Sequence, residues 1–186
     1  MYFKVLTIFC LFCCVWVGCT RTDTSKLDKI ASPTKPGVDR LEGVEAYYSD
    51  SAKVVAKMNA PLMYLEAGEK PKRQFPKGLD VEFYATNGDI NCFLHANKAE
   101  RDEQSGLVSL SDSVLIKNIK GETLKTNQLY WDDQKQSLYN TDEYVEISTP
   151  DGQLITGYGM VSNKDFTNWS IKRVTAPRIK SQGLMN

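Results

Sequence analysis

A phrase of about thirty residues is written three times from Val81 onward in this 186-residue chain. The copies open at Val81-Glu82-Phe83, Val114-Leu115-Ile116 and Val145-Glu146-Ile147, each with apolar residues flanking one pleat position. A glycine follows each (Gly88, Gly121 and Gly152), then an extended run around Leu94-His95-Ala96, Leu124-Lys125-Thr126 and Ile155-Thr156-Gly157. A polar corner closes each unit at Asp102, Asp132 and Asn163. Self-similarity at a period of roughly 20–50 residues marks a repeat architecture. The unit here is a β-hairpin or one turn of a stacked β-structure.

Alternation assigns faces to these strands, because successive side chains point to opposite sides of a sheet. Val81, Phe83 and Ala85 share one side, with Glu82 and Tyr84 on the other. Val114, Ile116 and Asn118 behave alike, as do Val145 and Ile147 opposite Tyr144 and Glu146. Stacked in register, the apolar faces form one interior wall of Val81, Phe83, Val114, Ile116, Leu124, Val145, Ile147 and Leu154. Such a wall serves either as an ordinary sandwich core or as an apolar trough. Upstream, residues 52–58 read as a strand ahead of Pro61, residues 61–65 as a second strand, and residues 70–78, with Pro71, Pro76 and Gly78, as a loop. Short strands between Gly, Asn and Asp signals indicate an all-β fold.

The N-terminus carries a different signal. One lysine, Lys4, precedes an apolar run from Val5 to Val17, which is shorter than the roughly 20 residues a bilayer-spanning helix needs. It fits the apolar part of a secretory signal. The run ends Val17-Gly18-Cys19 before a polar stretch, which is similar to a bacterial lipobox with Trp16 in place of the usual aliphatic residue. The expected organisation is a lipoprotein signal peptide over 1–18, an acylated Cys19 beginning a tether over 19–43, a β-domain over 44–176 and a tail over 177–186. A short uncleaved anchor is the alternative for the first segment. The tether is rich in Ser, Thr, Asp and Lys with Pro33 and Pro36, a composition poor in core-forming residues. Cys10, Cys13 and Cys14 leave with the signal, so Cys92 has no disulfide partner in the mature chain and reads as a small buried hydrophobe.

Function classes narrow from there. Lys plus Arg equals Asp plus Glu at 23 each, so no global field favours nucleic acid, and Lys70–Arg73 reads as a solvated loop. His95 is the single histidine, and no Gly-x-Ser-x-Gly elbow or Cys-x-x-Cys pair accompanies it. An enzyme, a metal site and a cofactor are therefore not expected. Basic residues Lys117, Lys120 and Lys125 stand as rim candidates or as edge protection. Asn168–Val174 is a plausible edge strand, with Trp169 and Ile171 on it, and Gly157 and Gly159 fall on the strand before. Those glycines either admit another backbone or bend the sheet.

The stretch Val114–Asp132, with its Asn118, Gly121 and Leu124-x-Thr126-x-x-Leu129-x-Trp131-Asp132, resembles the pattern of the LptC family of lipopolysaccharide-export proteins and its LptA and LptD relatives. Ile155-Thr-Gly-Tyr-Gly-Met160 resembles the next piece of that pattern. The resemblance runs over about residues 44–175. It implies an open β-jellyroll of stacked antiparallel strands whose trough holds acyl chains. It further implies a periplasmic protein held at a membrane, most simply the inner one, that receives lipopolysaccharide from an ABC transporter and hands it to an LptA-like jellyroll stacked edge to edge, for which the edge carrying Gly157, Gly159, Trp169 and Ile171 is the candidate. A lipid anchor at Cys19 would stand where better-known members carry a transmembrane helix. A β-sandwich surface lipoprotein that binds a glycan or a protein is the alternative.

Overall fold

The computed structural model describes residues 37–179. The signal segment 1–18, Cys19 and most of the tether lie outside them, as do residues 180–186. Within them, eleven antiparallel strands form one sheet and no helix is present. The strands are β1 (Val38–Asp50), β2 (Lys53–Glu66), β3 (Lys72–Phe75), β4 (Leu79–Tyr84), β5 (Ile90–Ala96) and β6 (Lys98–Asp102). They continue as β7 (Leu107–Asn118), β8 (Thr123–Asp132), β9 (Ser137–Ser148), β10 (Gln153–Asn163) and β11 (Trp169–Ile179).

The pairings reduce to a simple meander folded in half. β2 pairs with β4 through Ala56–Asn59 and with β3 through Tyr64–Glu66, so β3 and β4 are one strand broken at Pro76–Gly78. β5 and β6 are likewise one strand broken at Asn97, and both pair with β7. A crease therefore crosses the whole sheet, through Pro61 on β2, Pro76–Gly78, Asn97, Asp112–Ser113 on β7 and Gly159 on β10. Proline, glycine, asparagine and bulges are the residues and devices that interrupt or bend a ladder. Pro61 sits in the gap between the two partners of β2.

Each long strand thus descends one leaf, bends, and climbs the other. The side-chain alternation changes phase at the bend. In β8, Leu124 and Thr126 are buried on the first leaf, and Leu129 is buried on the second with the half-buried Trp131 two residues on. The same spacing recurs as Leu94-x-Ala96-x-x-Ala99-x-Arg101-Asp102 and Ile155-x-Gly157-x-x-Met160-x-Ser162-Asn163. One copy of the thirty-residue phrase is a strand end, a hairpin turn, and one full pass over both leaves.

The ends of the passes are equally regular. The first-leaf rim is built from three-residue hairpin loops closed by identical pairs of bonds: Ala85 with Gly88 and Asp89, Asn118 with Gly121 and Glu122, Thr149 with Gly152 and Gln153. Each glycine holds φ of +80 to +89°, the left-handed position that ends a type I turn in such loops. The second-leaf rim carries the polar corners. Asp102 Oδ1 accepts the Gln104 and Ser105 amides at 2.9 and 2.8 Å, and Asp132 Oδ1 accepts the Lys135 amide at 3.0 Å. Asn163 Oδ1 accepts the Thr167 and Asn168 amides at 3.0 and 2.9 Å.

The core fills the space between leaves. Val114, Ile116, Leu124, Leu129, Leu138, Val145, Ile147 and Met160 are at most 1% exposed. Bending a strand frees backbone groups, and buried ones need partners. Asn140, fully buried at the crease, accepts the Met160 amide at 3.1 Å and donates to Gln128 O at 3.3 Å, while Thr126 Oγ1 donates to Tyr144 O at 2.8 Å.

Three features differ from the sequence reading. Strand β1 starts at Val38, inside the segment read as tether, because residues 38–50 find a full-length partner in β2. Residues 52–58 and 61–65 are one strand rather than two. The segment read as a loop over 70–78 contains β3, recruited by Tyr64–Glu66 on one side and Ala99–Asp102 on the other. Among the described residues, β1 pairs only with β2 and β11 only with β10, so the folded sheet has two free edges.

Candidate functional site

At the β1–β2 end the leaves close incompletely. A recess that opens to solvent lies between them, with a cavity volume of about 160 Å³. The first leaf contributes Ala56 and Met58 from β2, Leu79, Val81 and Phe83 from β4, and Leu94 from β5. The second contributes Phe75, Val108, Leu110, Trp131 and Leu138. Phe83 and Trp131 approach from opposite leaves, their ring centroids 6.0 Å apart and tilted by 47°. The volume is close to that of an engineered cavity of about 150 Å³ that stays dry and binds benzene. The interior therefore suits a slender apolar group.

The rim is charged. Arg101 and Lys164 line the recess beside Asp133, Gln136 and Tyr48. Arg101 Nη2 donates to Asp133 Oδ2 at 3.1 Å. Glu103 Oε1 is buried and held by charge, between Arg73 Nε at 3.1 Å and Arg101 Nε at 3.6 Å. An apolar throat with cations at its lip is an arrangement for an amphiphile, since the chain leaves water while the polar head stays at the surface.

The sequence-expected wall divides in two. Val81 and Phe83 line the cavity. Val114, Ile116, Leu124, Val145 and Ile147 share one face of the first leaf but are sealed in solid core. Leu154 stands in register with Ser148 on the face that carries Tyr158, and Ile155, opposite Ile147, holds the inward position instead. The expected edge residues also divide. Trp169 and Ile171 lie on the free-edge strand β11 with their side chains against the core. Gly157 and Gly159 are buried on β10, one strand in from that edge. A Cβ on Gly157 would stand 2.4 Å from Arg173 O and 2.5 Å from Ile171 Cγ2. The backbone this glycine admits is the chain's own β11.

Of the expected rim lysines, Lys120 reaches across the mouth, its Nζ donating to Thr167 O at 3.1 Å. Lys117 and Lys125 are exposed on the outer face of their strands. Cys92 is 1% exposed, and its burial, with the Asp165 charge adding to it, pushes the thiol up to about 12, so it is not a thiolate at neutral pH. His95 lies on the outer face, with Nδ1 2.7 Å from Asp80 Oδ1 and Nε2 3.2 Å from Asn97 Oδ1. The Asp80 hydrogen bond raises its pKa.

Alternation read without the phase change misses Arg101, Trp131, Leu110 and Leu138. The signal that finds them is the two-residue gap at the crease, after which the inward positions resume out of step. Cys19 lies outside the described residues. No protein-family model matches this chain, and no curated protein matches it.

Proposed function

We propose that the protein is a lipid carrier of the lipopolysaccharide-export kind, held at the membrane by acylation of Cys19. In this reading it stands in the periplasm at the inner membrane. It accepts lipopolysaccharide from an ABC extractor and passes it along stacked jellyrolls toward the outer membrane. The observation that carries the reading is the apolar cavity between two leaves of a single folded sheet, with cations at its lip and, among the described residues, a free strand edge at each end. An acyl chain in water costs about 0.8 kcal/mol per exposed methylene, so escort across an aqueous gap needs such an enclosed apolar path. A free edge is where a neighbouring sheet adds by β-augmentation. The likeness of Val114–Asp132 and Ile155–Met160 to the LptC pattern supports the same reading.

Photocrosslinking tests it. A photoreactive residue at Val81 or Phe83 is expected to capture lipopolysaccharide, and one at Glu82 or Lys117 is not. Capture confined to the outward positions would sink the carrier reading.

One observation favours a second reading, a surface lipoprotein that binds a glycan. Tyr144 and Tyr158 are exposed on the outer face with ring centroids 5.6 Å apart, and the Arg173 guanidinium lies 5.1 Å from the Tyr158 ring. Under that reading Tyr158→Ala abolishes binding while substitutions in the cavity leave it intact.

A further inference from the structure

We infer that the loop between β10 and β11 is the end wall of the cavity and sets the length of acyl chain it accepts, an inference that rests on the lipid-carrier reading. The loop starts on the second-leaf rim at Asn163 and crosses the mouth to the first-leaf rim. Three hydrogen bonds fasten it there: Asn91 Nδ2 to Asp165 Oδ2 at 2.8 Å, Asn118 Nδ2 to Phe166 O at 2.7 Å, and Lys120 Nζ to Thr167 O at 3.1 Å. Elsewhere the mouth stays open wide enough to form the recess, and Lys164 of this loop is one of the residues lining it.

Phe166 is the wedge. It holds φ of +54°, a region that bulky side chains rarely occupy, yet it is fully buried. Its ring stacks on Trp169 with centroids 6.2 Å apart, and it belongs to the same apolar cluster as the five sealed wall residues. A strained backbone persists where surrounding contacts over-determine it. Here those contacts are the loop's own corner bonds at Asn163 and the three fasteners across the mouth.

The wall behind the wedge continues that of the cavity. Leu94 lines the cavity and pairs with Ile116, which pairs with Leu124, which pairs with Ile147. A chain entering beside the touching rings of Phe83 and Trp131 therefore meets a continuous apolar leaf that is blocked partway. Releasing the loop withdraws Phe166 and extends the trough along the rungs of Ile116, Leu124 and Ile147. With the loop fastened, only the first part of a long chain is held.

Displacement of a bound dansylated fatty acid by octanoic, lauric, palmitic and stearic acids tests this on the full chain. Each buried methylene should tighten binding about fourfold. In the unmodified protein that gain is expected to stop at the shorter acids. Two variants are compared with it: Phe166→Gly, which removes the wedge and relieves the backbone, and Asn91→Ala/Lys120→Ala, which cuts fasteners at the surface and spares the core. Both should still bind octanoate and should bind stearate about tenfold tighter or better than the unmodified protein does, consistent with added methylene burial. Octanoate binding with the same levelling point in all three proteins would overturn the loop's role and leave the carrier reading standing. A continuous gain to stearate in the unmodified protein overturns it too. If no acid binds any of the three, the cavity is not an acyl site and both readings fall.

Discussion

One leaf of this sheet carries two kinds of interior. Along β7, β8 and β9 it is solid, with Val114, Ile116, Leu124, Val145 and Ile147 at most 1% exposed. Along β2 and β4 it is hollow, with Val81 and Phe83 half-buried around the cavity. The residues are of the same type and stand in the same alternation. What differs is the opposite side. Behind β7–β9 the loop bearing Phe166 folds in from the mouth, and Met160, Trp169 and Ile171 belong to the same packed core. Opposite β2 and β4 the second leaf presents Trp131, which touches Phe83, and Arg101, whose guanidinium is kept at the rim by Asp133, so the space is only partly filled. An inward apolar residue is therefore core or cavity wall according to its partner, which its own strand does not specify.

The largest expected effect sharpens this contrast. Leu124→Ala in the solid half should cost about 2–5 kcal/mol of stability, because packed surroundings relax little around a new void. Val81→Ala beside the existing cavity should cost about 1 kcal/mol, since part of its surface is already without protein contacts. Urea denaturation of both variants checks the difference, and equal losses would mean the hollow closes in solution.

Gly157→Ala should cost about 1–3 kcal/mol, the range for forced overpacking. Its added methyl meets the Arg173 carbonyl oxygen and Ile171, so β11 must shift or detach. Hydrogen exchange should then rise in β10 and β11 and stay unchanged in β4 and β5. Uniform acceleration across the sheet would show that the two ends unfold as one.

The smallest effect is in pH dependence. The Asp80 hydrogen bond raises the His95 pKa above its unfolded value, so the pair stabilises fully below about pH 6.5 and loses its contribution as pH rises through the raised folded value. The His95 side chain is 39% exposed, so solvent screening keeps the effect modest. Asp80→Asn should flatten the fall in urea midpoint between about pH 5.5 and about pH 8.5. A fall of the same size in the variant would place its origin in another group.

Much of the fold was legible in the chain. The turn glycines Gly88, Gly121 and Gly152 and the corners Asp102, Asp132 and Asn163 follow from local backbone chemistry, and the structure puts them on two opposing rims. Half of each alternating run was legible too, which is why Val114, Ile116, Val145 and Ile147 all face inward. The crease was not. Carrying the alternation unchanged past the bend missed Trp131 and Leu138 on the second leaf, while Leu154, on the first leaf before the bend, was placed inward where Ile155 stands. Short β3 was missed because Lys72-Arg-Gln-Phe75 has no alternation of its own and is a strand only through its two neighbours.

By itself the sequence determined an all-β chain of three like units, the turns that end its strands, and the apolar face each strand presents. Those are short-range properties, set by dihedral preferences and a two-residue period. The tertiary structure decided where the sheet folds on itself, which strands remain as free edges, and which stretch of the apolar face is left uncovered. Those depend on contacts between residues far apart in the chain, such as Phe166 against the face built by β7–β9 and Arg101 held off by Asp133. No local pattern encodes such meetings.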